Sequence, residues 1–137
     1  MQIRRSSKLA LLIFRTIFYL CAAYFFLMGI FMMVFPGLVT KNAGVQHPMI
    51  IGIVRGIGGS IIGSTIFYIA IALKPIERRW AALIIAFANI LAIILDFASV
   101  YLGEYSMAHA MIDVPIETVS FLTIVAFYSA SRDRNTQ

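Results

Sequence analysis

Charge is scarce in this sequence: Asp, Glu, Lys and Arg make up 12% of its 137 residues, about half of the roughly 25% found in soluble domains. Cysteine is nearly absent. The lone Cys21 excludes an intrachain disulfide, a CxxC redox pair and a cysteine-built zinc site. Histidine occurs twice, as His47 and His109, with neither an HExxH nor an EF-hand pattern around it, so no metal site is expected. There is no nucleophile–base pair, glycine-rich phosphate loop or pair of haem ligands to assign, and no cofactor is expected. Acids are the rarer sign, six against eleven bases, for a formal charge of +5. The bases stand at the ends of apolar runs instead of forming one patch, which argues against nucleic acid as a partner.

Hydrophobic residues fill the space that charge leaves, at 61% of the chain with a mean hydropathy of +0.93. Four apolar runs, about 9–35, 48–73, 80–102 and 111–130, approach or exceed the roughly 20 residues a helix needs to cross hydrocarbon. No alternating strand pattern occurs, and a backbone in lipid must satisfy its own hydrogen bonds, so the runs are expected to be helices. The first run is too long for a signal-peptide core, and Leu20 before Cys21 is not a small residue, so a retained anchor is expected.

The connections Pro36–His47, Lys74–Arg79 and Gly103–Ala110 are short, which predicts an all-α, up-down four-helix bundle forming one transmembrane domain over 1–137. Gly37 after Pro36, and Gly103 after Leu102, look like helix stops. Arg4, Arg5, Lys8, Lys74, Arg78, Arg79, Arg132 and Arg134 fall on one side of this topology, against Lys41 on the other. The asymmetry places both termini in the cytoplasm. Trp80 suits the inner interface, and Tyr101 and Tyr105 suit the outer one.

Within the second run Gly52, Gly56, Gly59 and Gly63 are spaced by four, three and four, a small-residue stripe along which another helix can pack closely. That helix belongs either to the same bundle or to a second copy. Arg55, three residues after Gly52 and four before Gly59, is expected to point toward the packed side and to be buried in protein. An arginine inside a span costs about 2.5–3.5 kcal/mol on insertion scales and normally has a partner.

Arg55 lies about seven residues, or roughly 10 Å, below the outer end of its run at a rise of 1.5 Å per residue. Asp96 in the third run and Glu117 in the fourth are each six residues, roughly 9 Å, from the same side. An Arg55–Asp96 or Arg55–Glu117 ion pair in the outer half of the bilayer is the economical expectation. Asn89 shares the face of Asp96; Asp113 and His109 precede Glu117 by four and eight and share its face if the helix extends that far. Alternatively Pro115 marks the first turn, residues 104–112 form an interfacial loop and Glu117 is shallow.

With Asp96, Asp113 and Glu117 facing one Arg55, full ionisation would leave −2, so one acid is expected to hold a proton or to meet a cation. Three roles stay open for these residues: a structural pair, a ligand or proton site, and a contact with a partner subunit. Arg15, close to the start of its run, is expected to snorkel to the inner surface.

The Arg55-x-x-x-Gly59 segment in the glycine-striped second span, the basic turn 74–79 and the aspartate late in the third span resemble those of small bacterial DoxX-like four-helix membrane proteins, over about residues 9–130. The resemblance implies a bundle in the bacterial cytoplasmic membrane, in a family with some members associated with quinol-oxidising complexes. No residue here carries a redox role over. The leading expectation is a non-enzymatic polytopic membrane protein, an accessory subunit or small-molecule or lipid binder. Its partners would be membrane lipid and either a second copy or a larger complex. A proton- or cation-coupled transporter, and a membrane enzyme acting on a lipid or quinone, are the alternatives.

Overall fold

The computed structural model describes the backbone of residues 2–42, 44, 46–104 and 106–132, and the side chains of residues 8–41, 44, 46–104 and 106–129. Among these residues there is no strand. The helices are α1 (Gln2–Val34), α2 (Pro36–Asn42), α3 (Pro48–Leu73), α4 (Arg79–Tyr101) and α5 (Met107–Arg132). Four of them contain apolar segments long enough to cross a membrane: Lys8–Val34, Pro48–Leu73, Arg79–Tyr101 and Met107–Ser129. The protein is therefore a multi-pass membrane protein. Its outward surface agrees, since Leu12, Leu20, Leu27, Ile66, Phe87 and Ile94 are all exposed, a surface that hydrocarbon solvates and water does not.

Helix boundaries follow local chemistry. α4 stops where Gly103 adopts φ +73°. The N–H of Glu104 donates to the Ser99 carbonyl and that of Gly103 to the Val100 carbonyl, the paired bonds of a Schellman ending. Gly37 does not act as a stop. The break falls at Phe35 instead, and Pro36 opens the short α2, because a residue without an N–H fits the first position of a helix. Met107 begins α5 four residues earlier than the apolar run suggested, which puts Pro115 inside the helix. The interfacial loop expected over 104–112 is thus replaced from residue 107 by helix.

By backbone proximity the chain separates into two compact units, Met1–Phe18 with Ile71–Gln137, and Tyr19–Ala70. In the first, α4 and α5 form a helical hairpin. Ala81, Ala82, Ala86 and Asn89 are buried on α4, small residues that let a neighbouring helix approach. On α5 the buried positions Ala110, Val114, Ser120, Ile124 and Tyr128 recur at helical spacing. The start of α1 joins this unit through Phe14, whose ring lies 4.3 Å from that of Phe127 and 6.1 Å from that of Tyr128.

In the second unit α1 runs antiparallel to α3, pairing Phe25 with Tyr68 at 5.2 Å between ring centres. Their crossing is made by Gly29 and Gly58. A Cβ at Gly29 would stand 2.7 Å from the Gly58 carbonyl oxygen and 2.6 Å from Ile62 Cγ1; one at Gly58 would stand 2.7 Å from the Gly29 oxygen. The two backbones touch.

This contact sorts the glycines by consequence. Gly29→Ala should destabilise the protein by about 1–3 kcal/mol through overpacking, whereas Gly63→Ala, with open space at its Cβ, should be neutral or stabilise by up to about 1 kcal/mol through helix propensity. Reversible unfolding of both variants in mixed micelles measures the difference; equal effects would show that the crossing is looser than described.

Candidate functional site

Two groups of polar residues occupy the spans. The first is acidic and lies on the α4–α5 hairpin. Asn89 is buried on α4, and Asp96, two turns further on, is half-buried. On α5 Asp113 and Glu117 are half-buried and one turn apart, so they share a helix face. Asp96 and Asp113 both lie within electrostatic range of Glu117. Glu117 is ten residues past the start of α5, roughly 15 Å along it at 1.5 Å per residue, deeper than the boundaries drawn from hydropathy placed it. Its Oε2 atom is enclosed and receives no hydrogen bond.

Pro115 stands between Asp113 and Glu117 and has no N–H to offer the Met111 carbonyl one turn back. The acids therefore sit on a helix segment whose own ladder is interrupted. From residue 80 to residue 131 the sequence contains no Lys or Arg, so neither helix supplies these carboxylates with a basic counter-charge inside its span.

His109 takes a different part. It is exposed, and its Nδ1 lies 2.8 Å from the Ser106 hydroxyl while its backbone N–H donates to the Ser106 carbonyl. That arrangement joins it to the N-terminal cap of α5. His47 does similar work for α3, its Nδ1 accepting from the Met49 N–H at 3.3 Å. Among the described residues no three of His, Cys, Asp and Glu come together as metal ligands.

The second group is basic and lies in the other unit. Arg55 is exposed, contrary to the burial expected from its spacing to Gly52 and Gly59. Its Nε donates to the Met33 carbonyl at a long 3.4 Å, within the last turn of α1. The glycine stripe beside it is equally open. Apart from the adjoining residues and backbone of α3 itself, no described atom lies within 4 Å of a Cβ built at Gly52, Gly56 or Gly63, and Gly59 meets only Met33 Sδ at 4.0 Å. The intrachain packing expected of this stripe is carried instead by Gly58, which points to the opposite side of α3. Residues 19–70 contain Lys41 and Arg55 but no acid. Of the six residues singled out, Asp96, Asp113 and Glu117 are brought together, with Asn89 and His109 on the same helices, and Arg55 belongs to the other unit.

Sequence reasoning missed two polar contacts. Arg15 reaches to the end of α3: its Nε donates to the Ala72 carbonyl and its Nη2 to the Leu73 carbonyl, both at 3.0 Å. These are the final carbonyls of α3, which have no donor within their own helix. Tyr128 donates its hydroxyl to the Pro75 carbonyl at 2.6 Å, and the Arg79 guanidinium carbon stands 5.5 Å from the centre of its ring. A single clue was available for Arg15, a permanent charge two turns inside a span opposite the end of another.

Comparison with protein-family models, with curated proteins and with solved structures returns no match to this chain.

Because an enclosed carboxyl oxygen without a hydrogen bond costs free energy, Glu117→Leu should unfold at least as late as the natural protein, with a gain of about 1–3 kcal/mol. Chemical denaturation in micelles reads this directly. A loss of comparable size would show that the carboxyl is bonded in the folded state.

Proposed function

We propose that this chain is a non-enzymatic polytopic protein of the bacterial cytoplasmic membrane, with both termini in the cytoplasm, that works as an accessory subunit through the open face of α3. The observation that carries this reading is the row Gly52, Gly56 and Gly63, with unoccupied space where each Cβ would be, alongside an exposed Arg55. Exposed glycine inside a helix costs roughly 0.5–1 kcal/mol relative to alanine, and arginine facing lipid costs more. A helix packed along the stripe that carries a carboxylate offsets both costs.

Charge distribution says what kind of helix fits. The span of Arg55 lies in a stretch without acids, and Asp96, Asp113 and Glu117 lie in a stretch without Lys or Arg. A helix that carries a carboxylate, from a second copy or from a larger complex, is thus the partner that the charge of Arg55 fits. The likeness of the Arg55-x-x-x-Gly59 segment to DoxX-like proteins supports a small four-helix membrane protein of this kind.

A second reading, a proton- or cation-coupled transporter, is favoured by one specific feature, the enclosed and unbonded Glu117 Oε2 with two further carboxylates in range. In liposomes this reading requires proton-linked flux that Glu117→Gln abolishes.

The accessory-subunit reading is tested with a photocrosslinking amino acid in place of Gly56, and in place of Ile84, an exposed position on α4, as control. Irradiation in native membranes should give a discrete protein adduct from position 56 and lipid adducts alone from position 84. Lipid adducts alone at both would contradict it.

A further inference from the structure

We propose that the groove between the start of α1 and the end of α5 binds one acyl chain of an anionic phospholipid, drawn from the leaflet at the basic end of these helices. The groove has a volume of about 400 Å³, and its walls include Ala10 and Phe14 from α1 and Leu122, Thr123, Ala126 and Phe127 from α5. It lies within one compact unit and shares no residue with the acidic group or the Arg55 face. It requires only that α1 and α5 cross the membrane.

The shape comes from residue size. Phe14 and Phe127 pack against each other at 4.3 Å between ring centres, while Ala10 and Ala126 leave room beside them. The one hydroxyl in the wall, on Thr123, already donates to the Val119 carbonyl at 2.7 Å. An occupant therefore finds no polar group to satisfy and gains only by presenting hydrocarbon. Water would have few hydrogen-bond partners there, and because the groove opens at the surface a bilayer can fill it with hydrocarbon. The volume falls within the ordinary range for a ligand site of roughly 300–1,000 Å³.

Charge at one end selects the headgroup. Ala10 and Phe14 near the start of α1 meet Ala126 and Phe127 near the end of α5, so the two helices run antiparallel and their basic termini coincide. Residues 1–18 and 118–137 contain Arg4, Arg5, Lys8, Arg15, Arg132 and Arg134 against one acid, Asp133. Arg15 is committed to the α3 carbonyls, whereas Lys8 is exposed two residues before Ala10. A chain seated in the groove with its headgroup toward this end brings a phosphate to the end of the helices where Lys8 is exposed and the sequence is net basic, and a lipid with net negative charge gains more there than a zwitterionic one.

The test uses full-length protein reconstituted in vesicles of equal phosphatidylglycerol and phosphatidylcholine, re-extracted in mild detergent and weighed by native mass spectrometry. The expected result is one retained phosphatidylglycerol per chain, enriched about tenfold over phosphatidylcholine. Ala126→Trp, which fills the groove, should lose it, as should the smaller filling Ala10→Leu if the tryptophan variant fails to fold. Ala98→Trp, on an exposed part of α4, should retain it. Arg5→Gln combined with Lys8→Gln should keep a lipid but lose the preference, and glycerophosphate, which lacks acyl chains, should not displace it. Equal retention of both lipids by the natural protein, or full retention by the groove-filling variants, would overturn the proposal. So would a dimer that Ala126→Trp separates without changing the bound lipid, since the groove would then belong to a second copy.

Discussion

An arginine placed on the last carbonyls of a neighbouring helix is the constraint on which this structure turns. A helix that ends in or near hydrocarbon leaves its final carbonyl groups without donors, and the cost of burying them unpaired is several kilocalories per mole. Arg15 of α1 answers this for α3, with two bonds of 3.0 Å to Ala72 and Leu73. Arg55 of α3 answers it for α1, by a longer contact of 3.4 Å to Met33. The two helices thereby exchange guanidinium groups in opposite directions. Each positive charge meets the negative end of the partner's helix dipole, and neither contact uses an acid. The shorter, forked contact of Arg15 is the stronger of the two, and Arg55 keeps donors to spare for another partner.

The antiparallel pairing of α1 and α3 that makes this exchange possible depends in turn on Gly29 and Gly58. With side chains there, the backbones could not approach to contact distance. One side of α3 is consumed in that crossing, and the side bearing Gly52, Gly56 and Gly63 is left open. The proposed association surface is thus the complement of the internal one, and the two are distinguished by which glycines have neighbours. The acids of α4 and α5 form a separate centre. Their clustering, and the interruption of the helix ladder at Pro115, concentrate negative charge on a hairpin whose two spans contain no Lys or Arg between residues 80 and 131.

The four spans were legible because hydropathy acts along the chain, and their observed ends fall within a few residues of the runs except where α1 and α5 start. There the chain turns polar before the helix stops, as over Gln2–Lys8, or a proline stands inside a helix that neighbouring turns sustain, as at Pro115. That Asp113 and Glu117 share a face was legible from spacing, since helix periodicity fixes it, whereas Asp96 stands on another helix and was tied to Glu117 only by a similar distance from the outer end. Rotation of α3 was not. A stripe of four glycines and a lone Gly58 are both compatible with packing, and only the position of Gly29 on α1, itself inconspicuous in sequence, decides between them. The role of Arg15 was hidden for a related reason: its partners are backbone carbonyls, which carry no signature in the sequence.

The most direct measurement of the central claim is isotope-edited infrared spectroscopy of the Leu73 backbone carbonyl, in the natural protein and in Arg15→Met, both in bilayers. A carbonyl that accepts from a guanidinium absorbs at lower frequency than a free one, so the account predicts a shift to higher frequency when Arg15 is replaced. An unchanged band, in a variant that remains helical, would contradict it.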